Sequence, residues 1–287
     1  MNMNTEKELN VLSLFDGMSC GQIALERAGI PICNYYASEI KKHAIKCCLD
    51  NYPKTKHVGD ITRLKIPKGT IIDLIIGGSP CQDISNLKPE GNLYGEKSKL
   101  FFEYVRLLKE CKRYNPDIKF LLENVNGDKK SIDIISEILA VKPIRINSNL
   151  VSYQNRDRLY WTNIQNVTIP EDKNINFQDY ILPENEYTQN FKVNKTPSRV
   201  LMYEKQCPNI TYRKKINCLT CKQDRRNNSG LIDFQDFCRY LTTVELEQAQ
   251  NVPIGYTKSV SRTQAEDLLG DGWTIDVIAH IFKGLKK

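Results

Sequence analysis

Ile71-Ile72-Asp73-Leu74-Ile75-Ile76-Gly77-Gly78-Ser79-Pro80-Cys81-Gln82 is the stretch on which the reading of this chain turns. The apolar run through Ile76 predicts a buried parallel strand, and Gly77-Gly78 breaks it where backbone must come close to something. In an open α/β sheet that place, just past a strand's carboxyl end, is where ligands bind. Pro80, with a fixed φ and no N–H, stiffens the turn that presents Cys81. A thiol held there can act as a nucleophile, although a cysteine after a strand is more often a buried structural residue. The neighbouring strands decide between the two readings.

Upstream, residues 10–15 predict a first strand, and Asp16-Gly17-Met18-Ser19-Cys20-Gly21 a glycine-bearing turn into a helix that runs through Ala28. Backbone N–H groups at such a helix start meet polar or anionic ligand groups. A second strand over residues 35–40 carries Glu39 at its end, where a carboxylate can accept both hydroxyls of a ribose. A third, over 56–62, carries Asp60, placed to bond an adenine amino group. Three successive strands ending in acids form a far stronger pattern than any one, against the bland alternative of helix caps. Downstream, residues 82–97 read as a long loop with Pro89, Gly91 and Gly95, and 98–114 as a helix. Residues 119–125 predict a fifth strand that delivers Glu123 and Asn124 to the same edge as Cys81. A helix over 131–139 and strands over 144–151 and 159–164 follow, with Gln154-Asn155-Arg156-Asp157-Arg158 between them. Two arginines at i and i+2 on an extended segment point the same way, so either reaches a common site.

The composition is that of a globular protein, 40% hydrophobic and 26% charged, and no apolar run approaches the ~20 residues a bilayer span needs. Residues 1–10 are polar without a signal-peptide core, so the expected location is cytosolic or nuclear. Ten irregularly spaced cysteines argue for reduced thiols, not a disulfide scaffold. Cys218-Leu219-Thr220-Cys221 is the one C-x-x-C; Cys207 and Cys238 do not give it a usual zinc spacing, so no metal is expected. The net charge of +7 is concentrated: residues 192–226 hold ten basic residues against two acids, with Tyr203 and Tyr212 among them. That suits a surface that follows phosphates and stacks on bases, against the alternative of a solvated face. From 165 the texture turns asparagine-rich, and the capped helix after Arg239-Tyr240-Leu241-Thr242 restarts regular structure.

Taken in order, Phe15-Asp16-Gly17 through Gly21, Gly78-Ser79-Pro80-Cys81, Glu123-Asn124-Val125, Gln154 through Arg158, Arg239 through Thr242 and the C-terminal glycine turn resemble the core motifs of the DNA (cytosine-5) methyltransferase family. Residues 12–17, Leu100-Phe101-Phe102-Glu103, and Leu268-Leu269-Gly270 with Trp273 look most like its de novo branch, and the compact size like a bacterial or phage enzyme, hence cytoplasmic. The resemblance implies an α/β, Rossmann-like class I S-adenosylmethionine-dependent methyltransferase fold, a mostly parallel sheet with helices on both faces plus a small target-recognition domain. The implied boundaries are residues 1–164 for catalysis and cofactor binding, 165–238 for target recognition and 239–287 returning to the catalytic domain.

It further implies that the Cys81 thiolate adds to C6 of a flipped cytosine, that Glu123 holds N3 and the exocyclic amine, that Arg158 bonds O2, and that Arg156 steadies the loop and thiolate. S-adenosyl-L-methionine would lie against Phe15, Asp16, Gly17, Met18, Ser19, Cys20, Glu39, Ile40, Asp60, Ile61, Gly78, Pro80, Leu100, Asp271, Gly272 and Trp273. Double-stranded DNA would meet Gln82, Ser85, Leu87 as an apolar wedge, Asn124, Lys214, Lys215, Arg225 and Arg226, with the protein a monomer on DNA and a dimer the alternative. Ser13 departs from the family's usual aspartate, and Asp271-Gly272-Trp273 from its Asn-Ser-Val turn; altered cofactor contacts are expected, not loss of binding. Two other functions stay in view. A tRNA-methylating branch carries a Cys-Phe-Thr element that is missing here, and an inactive DNA-binding regulator would lack the nucleophile and acids that are present.

Overall fold

The computed structural model describes residues 7–79, 98–205, 209–223, 229–234 and 236–286, and divides into two compact units. The first comprises residues 1–146, 157–169 and 278–287; the second comprises 147–156 and 170–277.

In the first unit the alternation of the glycine-broken apolar runs builds one seven-stranded sheet. Its strands are β1 (Leu9–Leu14), β2 (Ile32–Ser38), β3 (Lys56–His57), β4 (Leu74–Gly78), β5 (Lys119–Val125), β6 (Ile144–Asn147) and β7 (Asp157–Thr162), in spatial order 3-2-1-4-5-7-6. β1, β2, β3, β4 and β5 pair in parallel, and β7 runs antiparallel to β5. The order reverses at β1, so the ends of β1 and β4 flank the place where such sheets bind ligands.

The helices of this unit are α1 (Cys20–Ala28), α2 (Lys42–Asn51), α3 (Ser98–Lys112) and α4 (Lys129–Leu139). Because side chains alternate along a strand, Leu12, Leu14, Ile75 and Leu122 share one face, where they cluster with Phe101, Tyr104 and Leu108 of α3 and Ile135 and Leu139 of α4. The opposite face takes α1. A Cβ added at Gly21 would come within 2.4 Å of Ile76 Cδ1 and 2.6 Å of the Tyr35 hydroxyl, so any larger residue here would have to displace those two side-chain ends.

The predicted third strand is shorter than its sequence suggests. Only Lys56 and His57 pair with β2; Val58 N still donates to Ala37 O at 2.9 Å, and Gly59, at φ +76°, then turns the chain. Residues 148–151, read as strand, form a 3₁₀ turn capped by Asn147.

The second unit carries α5 (Glu186–Gln189), α6 (Pro197–Lys205), α7 (Thr243–Ala249), α8 (Arg262–Asp271) and the start of α9 (Ile275–Phe282), with a small antiparallel sheet of β8 (Lys192–Asn194), β10 (Phe237–Arg239) and β9 (Ile232–Asp233). Thr242 caps α7 in a capping box with Glu245. Glu245 also receives both arms of the Arg239 guanidinium at 2.8 Å, and both side chains are fully buried. Residues 239–277 thus cluster with 170–238, and only 278–287 join the sheet unit.

Candidate active site

The turn after β1 is built against backbone preference. Phe15, Gly17 and Ser19 all have positive φ, at 58°, 59° and 69°, and left-handed backbone at a non-glycine residue costs roughly 1–2 kcal/mol. Such outliers persist only where surrounding structure holds them and point to a functional turn. Asp16 N donates to Ser38 O at 3.1 Å and Gly17 N to Glu39 Oε2 at 2.8 Å, binding the turn to the end of β2. The other Glu39 oxygen accepts from Ile40 N (2.7 Å) and Lys41 N (2.8 Å), while Ile40 itself stands 71% exposed. Asp60 Oδ1 accepts from the Thr62 amide and hydroxyl, both at 2.9 Å, which holds its carboxyl below the usual carboxylate range. The Ser38 hydroxyl donates to Gly59 O at 2.7 Å and so ties the second strand end to the third.

Asp16 is the unusual member. It is 7% exposed, Oδ1 accepts from Tyr35 at 2.7 Å, and Oδ2 has no hydrogen-bond partner among the described residues. Burial raises its pKa from 3.8 to about 6; the nearby Ser13, Tyr35 and Ser19 hydroxyls pull it down and Glu39 pushes it up. A buried carboxylate oxygen left over in this way fits a ligand that brings a donor or positive charge. Open space beside Gly17, three carboxylates and an exposed apolar Ile40 complete a set suited to a cationic amino acid joined to a nucleoside. Met18, Ser19, Cys20 and Ile61 are buried, so they offer backbone or support; Phe15, Gly78 and Leu100 are half-buried.

One support was not singled out on sequence. Arg106 on α3, held by Glu103 (2.7 Å) and Glu110 (2.8 Å), donates to Ile61 O at 3.1 Å and Leu64 O at 2.9 Å. It pins the turn after Asp60. The Glu103-Arg106-Glu110 spacing signals ion pairs on one helix face, but not their carbonyl targets. Arg106→Lys keeps the charge and loses the fork, so the affinity for a ligand held by the Asp60 turn is expected to fall roughly tenfold. Calorimetric titration of a nucleoside ligand checks this; an unchanged affinity refutes it.

Across the sheet, Gly78 of β4 lies in register with Glu123 of β5, and Glu123 lies opposite Tyr160 of β7. Glu123 is 8% exposed and pairs through Oε1 with Arg158 Nε at 3.0 Å. Asn124, placed among the DNA contacts on sequence, is 3% exposed; its amide donates to Ser79 O (3.2 Å) and Ser79 Oγ (3.1 Å). Its visible work is to hold the residue two before Cys81. Pro80, Cys81, Gln82, Ser85, Leu87, Arg225 and Arg226 lie outside the described residues.

The two arginines of the 154–158 segment have separate partners. Arg158 sits on β7 beside Glu123, whereas Arg156 precedes the strand and is buried in the second unit, donating to Gly270 O at 3.1 Å and Cys218 Sγ at 3.3 Å. The expectation of one shared direction fails at Arg156 because the extended run begins only at Asp157. Within the same unit, Asp271 accepts from Cys221 Sγ at 2.9 Å, Gly272 caps α8, and Trp273 is half-buried. Lys214 is exposed, but Lys215 turns inward, its Nζ donating to Asn149 O (2.6 Å) and Ser152 O (2.9 Å).

A mostly parallel sheet whose first strands end in a glycine turn and paired acids is the Rossmann-like methyltransferase fold. The profile described as C-5 cytosine-specific DNA methylase matches residues 9–229, and the chain belongs to that family. The orphan methyltransferase M.Rho11sI of Bacillus phage rho11s is 32% identical over 180 residues, covering 58% of this chain and 35% of that protein. M.SPRI of Bacillus phage SPR is 33% identical over 166 residues, 53% of this chain and 37% of its own. The chain thus spans little more than a third of the length of these curated relatives. The crystal structure of S. pombe Dnmt2 methyltransferase superposes with a TM-score of 0.77 at 18% identity, over 98% of this chain and 100% of that one. The Entamoeba histolytica methyltransferase EhMeth gives 0.69 at 18% identity, again over 98% and 100%. At such identities the likeness is one of fold. No helix among the described residues is long and apolar enough to cross a membrane.

Proposed function

We propose that this chain is a DNA (cytosine-5-)-methyltransferase that carries a methyl group from S-adenosyl-L-methionine to C5 of a flipped cytosine, through a transient bond between Cys81 and C6. The observation that carries the reading is the buried Glu123–Arg158 pair, aligned in the sheet with the Gly78 that leads into Ser79-Pro80-Cys81. A base admitted beside that pair finds a carboxyl group for its N3 and exocyclic amine, and a guanidinium for O2. Asp16, Glu39, Asp60 and the exposed Ile40 would hold the methyl donor, with Arg106 as a support. When bound, the donor supplies an electrophilic methyl group.

The chain's own residues then do the following. The Cys81 thiolate forms a bond to C6, and the displaced π electrons leave C5 nucleophilic. Glu123 stabilises the charge that develops on N3, and Arg158 that on O2. After C5 is methylated, a base removes its proton, and the electrons of that C–H bond re-form the C5–C6 double bond as Cys81 leaves as thiolate. The target atom is unreachable inside a stacked duplex, so the base leaves the helix, at a cost of a few kcal/mol. We infer that the second unit supplies phosphate and base contacts through its basic residues.

Covalent trapping tests the reading. A duplex with 5-fluorocytosine at the target has no removable proton at C5, so the wild-type protein and methyl donor are expected to give a denaturation-resistant protein–DNA band that Cys81→Ser does not form. No band with the wild type, or an equal band with Cys81→Ser, refutes the nucleophile assignment.

A further inference from the structure

The second unit carries a small, stiff projection whose tip is strongly exposed. Ile210, fully buried, donates its N–H to Leu231 O at 3.0 Å, and Arg213 N closes a turn onto Ile210 O at 3.0 Å. The turn fits closely against Gly230, at φ +121°, where a Cβ would meet Ile210 at 2.3 Å. Its base is fixed on both sides. Asp233 N donates to Thr211 Oγ1 at 2.7 Å, Gln178 Nε2 to Arg213 O at 2.8 Å, and Phe177 N to Lys214 O at 2.8 Å. On this anchored loop Tyr212 is 90% exposed, and Arg213 and Lys214 point outward without side-chain partners among the described residues.

We propose that the 210–214 turn is a duplex-DNA docking tip, in which Tyr212 meets bases and Arg213 and Lys214 pair with phosphates. This rests on the DNA methyltransferase reading and names where part of its substrate is held. A merely solvated loop has no use for a large aromatic held in water at the end of a braced turn. A Tyr followed directly by two cations combines base contact through a side chain of few rotatable bonds with phosphate attraction. Asp233, whose N–H bonds Thr211 at the turn's base, does not cancel that charge, because its carboxylate is paired with Lys195 at 2.6 Å. Lys215, by contrast, is excluded from the tip by its two backbone acceptors.

The test compares the wild type with Tyr212→Ala, Tyr212→Phe, Arg213→Gln and Lys214→Gln in duplex binding across salt concentrations, bisulfite sequencing of methylated DNA, and calorimetric binding of S-adenosylmethionine. Arg213→Gln and Lys214→Gln are each expected to flatten the slope of log affinity against log salt by about 0.9, with sequence context unchanged. Tyr212→Ala should weaken duplex binding roughly tenfold and shift the preferred flanking bases, while Tyr212→Phe restores most of the affinity. Donor binding should stay at the wild-type value throughout. If the wild type methylates duplex DNA and these variants match it in affinity, salt slope and context, the docking tip is wrong and the enzyme reading stands. If the wild type methylates tRNA, or nothing, in place of duplex DNA, both fall.

Discussion

Glu123→Gln is expected to lower kcat by about 10²–10⁴ while leaving donor binding and duplex affinity within a few-fold of the wild type. Glutamine preserves shape: its carbonyl accepts from the exocyclic amine and its amide can face N3. It cannot carry the proton or charge that N3 would require in the proposed addition of Cys81 to C6, so the loss should fall in the chemical step and spare ground-state binding. The register supports a local effect, since Glu123 lies on a central strand between Gly78 and Tyr160 and is not on a mobile edge. The change also leaves Arg158 facing a neutral oxygen in a nearly closed site, and breaking a buried pair can cost several kcal/mol. Thermal melting of the variant therefore belongs beside the kinetics. Single-turnover methyl transfer by a folded Glu123→Gln protein within tenfold of wild type would remove Glu123 from the chemistry.

Why some of this was legible in the sequence and some not follows from the range of the interactions. β1, β4 and β5 announce themselves because a central parallel strand is apolar on both faces and must stop where backbone meets a ligand, hence the run ending in Gly77-Gly78. The Thr242–Glu245 capping box is equally local, three residues apart. Its partner Arg239 was visible as a motif residue, but not as a fully buried guanidinium. The orientation of a basic side chain is harder still. Lys214 and Lys215 are adjacent and chemically alike, yet one is exposed and the other donates to carbonyls more than 60 positions away. Asn124 shows the same limit, since a polar residue at a sheet edge reads as a ligand contact until its amide is found on Ser79. Arg156 and Arg158 were read as a pair by the two-residue period of strands, a rule that fails when the strand begins between them.

Asp16→Asn should stabilise the ligand-free protein while weakening its hold on the methyl donor, two effects of one buried charge. The folded chain raises the Asp16 pKa from 3.8 to about 6, chiefly by burial. A carboxyl whose folded pKa lies above its unfolded value binds its proton more tightly when folded, so this group costs stability at pH 7. That cost is relieved as pH falls through about 6 and is gone below 3.8; the difference corresponds to roughly 3 kcal/mol at neutral pH. Asparagine keeps an oxygen for the Tyr35 hydroxyl and carries no charge, so the melting temperature of the ligand-free variant at pH 7 should rise by about 5 °C. The donor we propose, S-adenosylmethionine, is cationic, and the partnerless Oδ2 is the atom we assign to it. Losing a charge-assisted contact of about 1.5–3 kcal/mol should raise its Kd between roughly tenfold and a hundredfold. Protonation does the same to the wild type, so donor affinity should fall as pH drops through 6, by about tenfold at pH 5, and level off at the affinity of Asp16→Asn, which should show a flat profile over the same range. Calorimetric titration between pH 5 and 8 decides the matter: equal pH profiles for the two proteins would detach Asp16 from the donor, and a variant that melts lower would mean that its carboxylate is not an unfavourably buried charge.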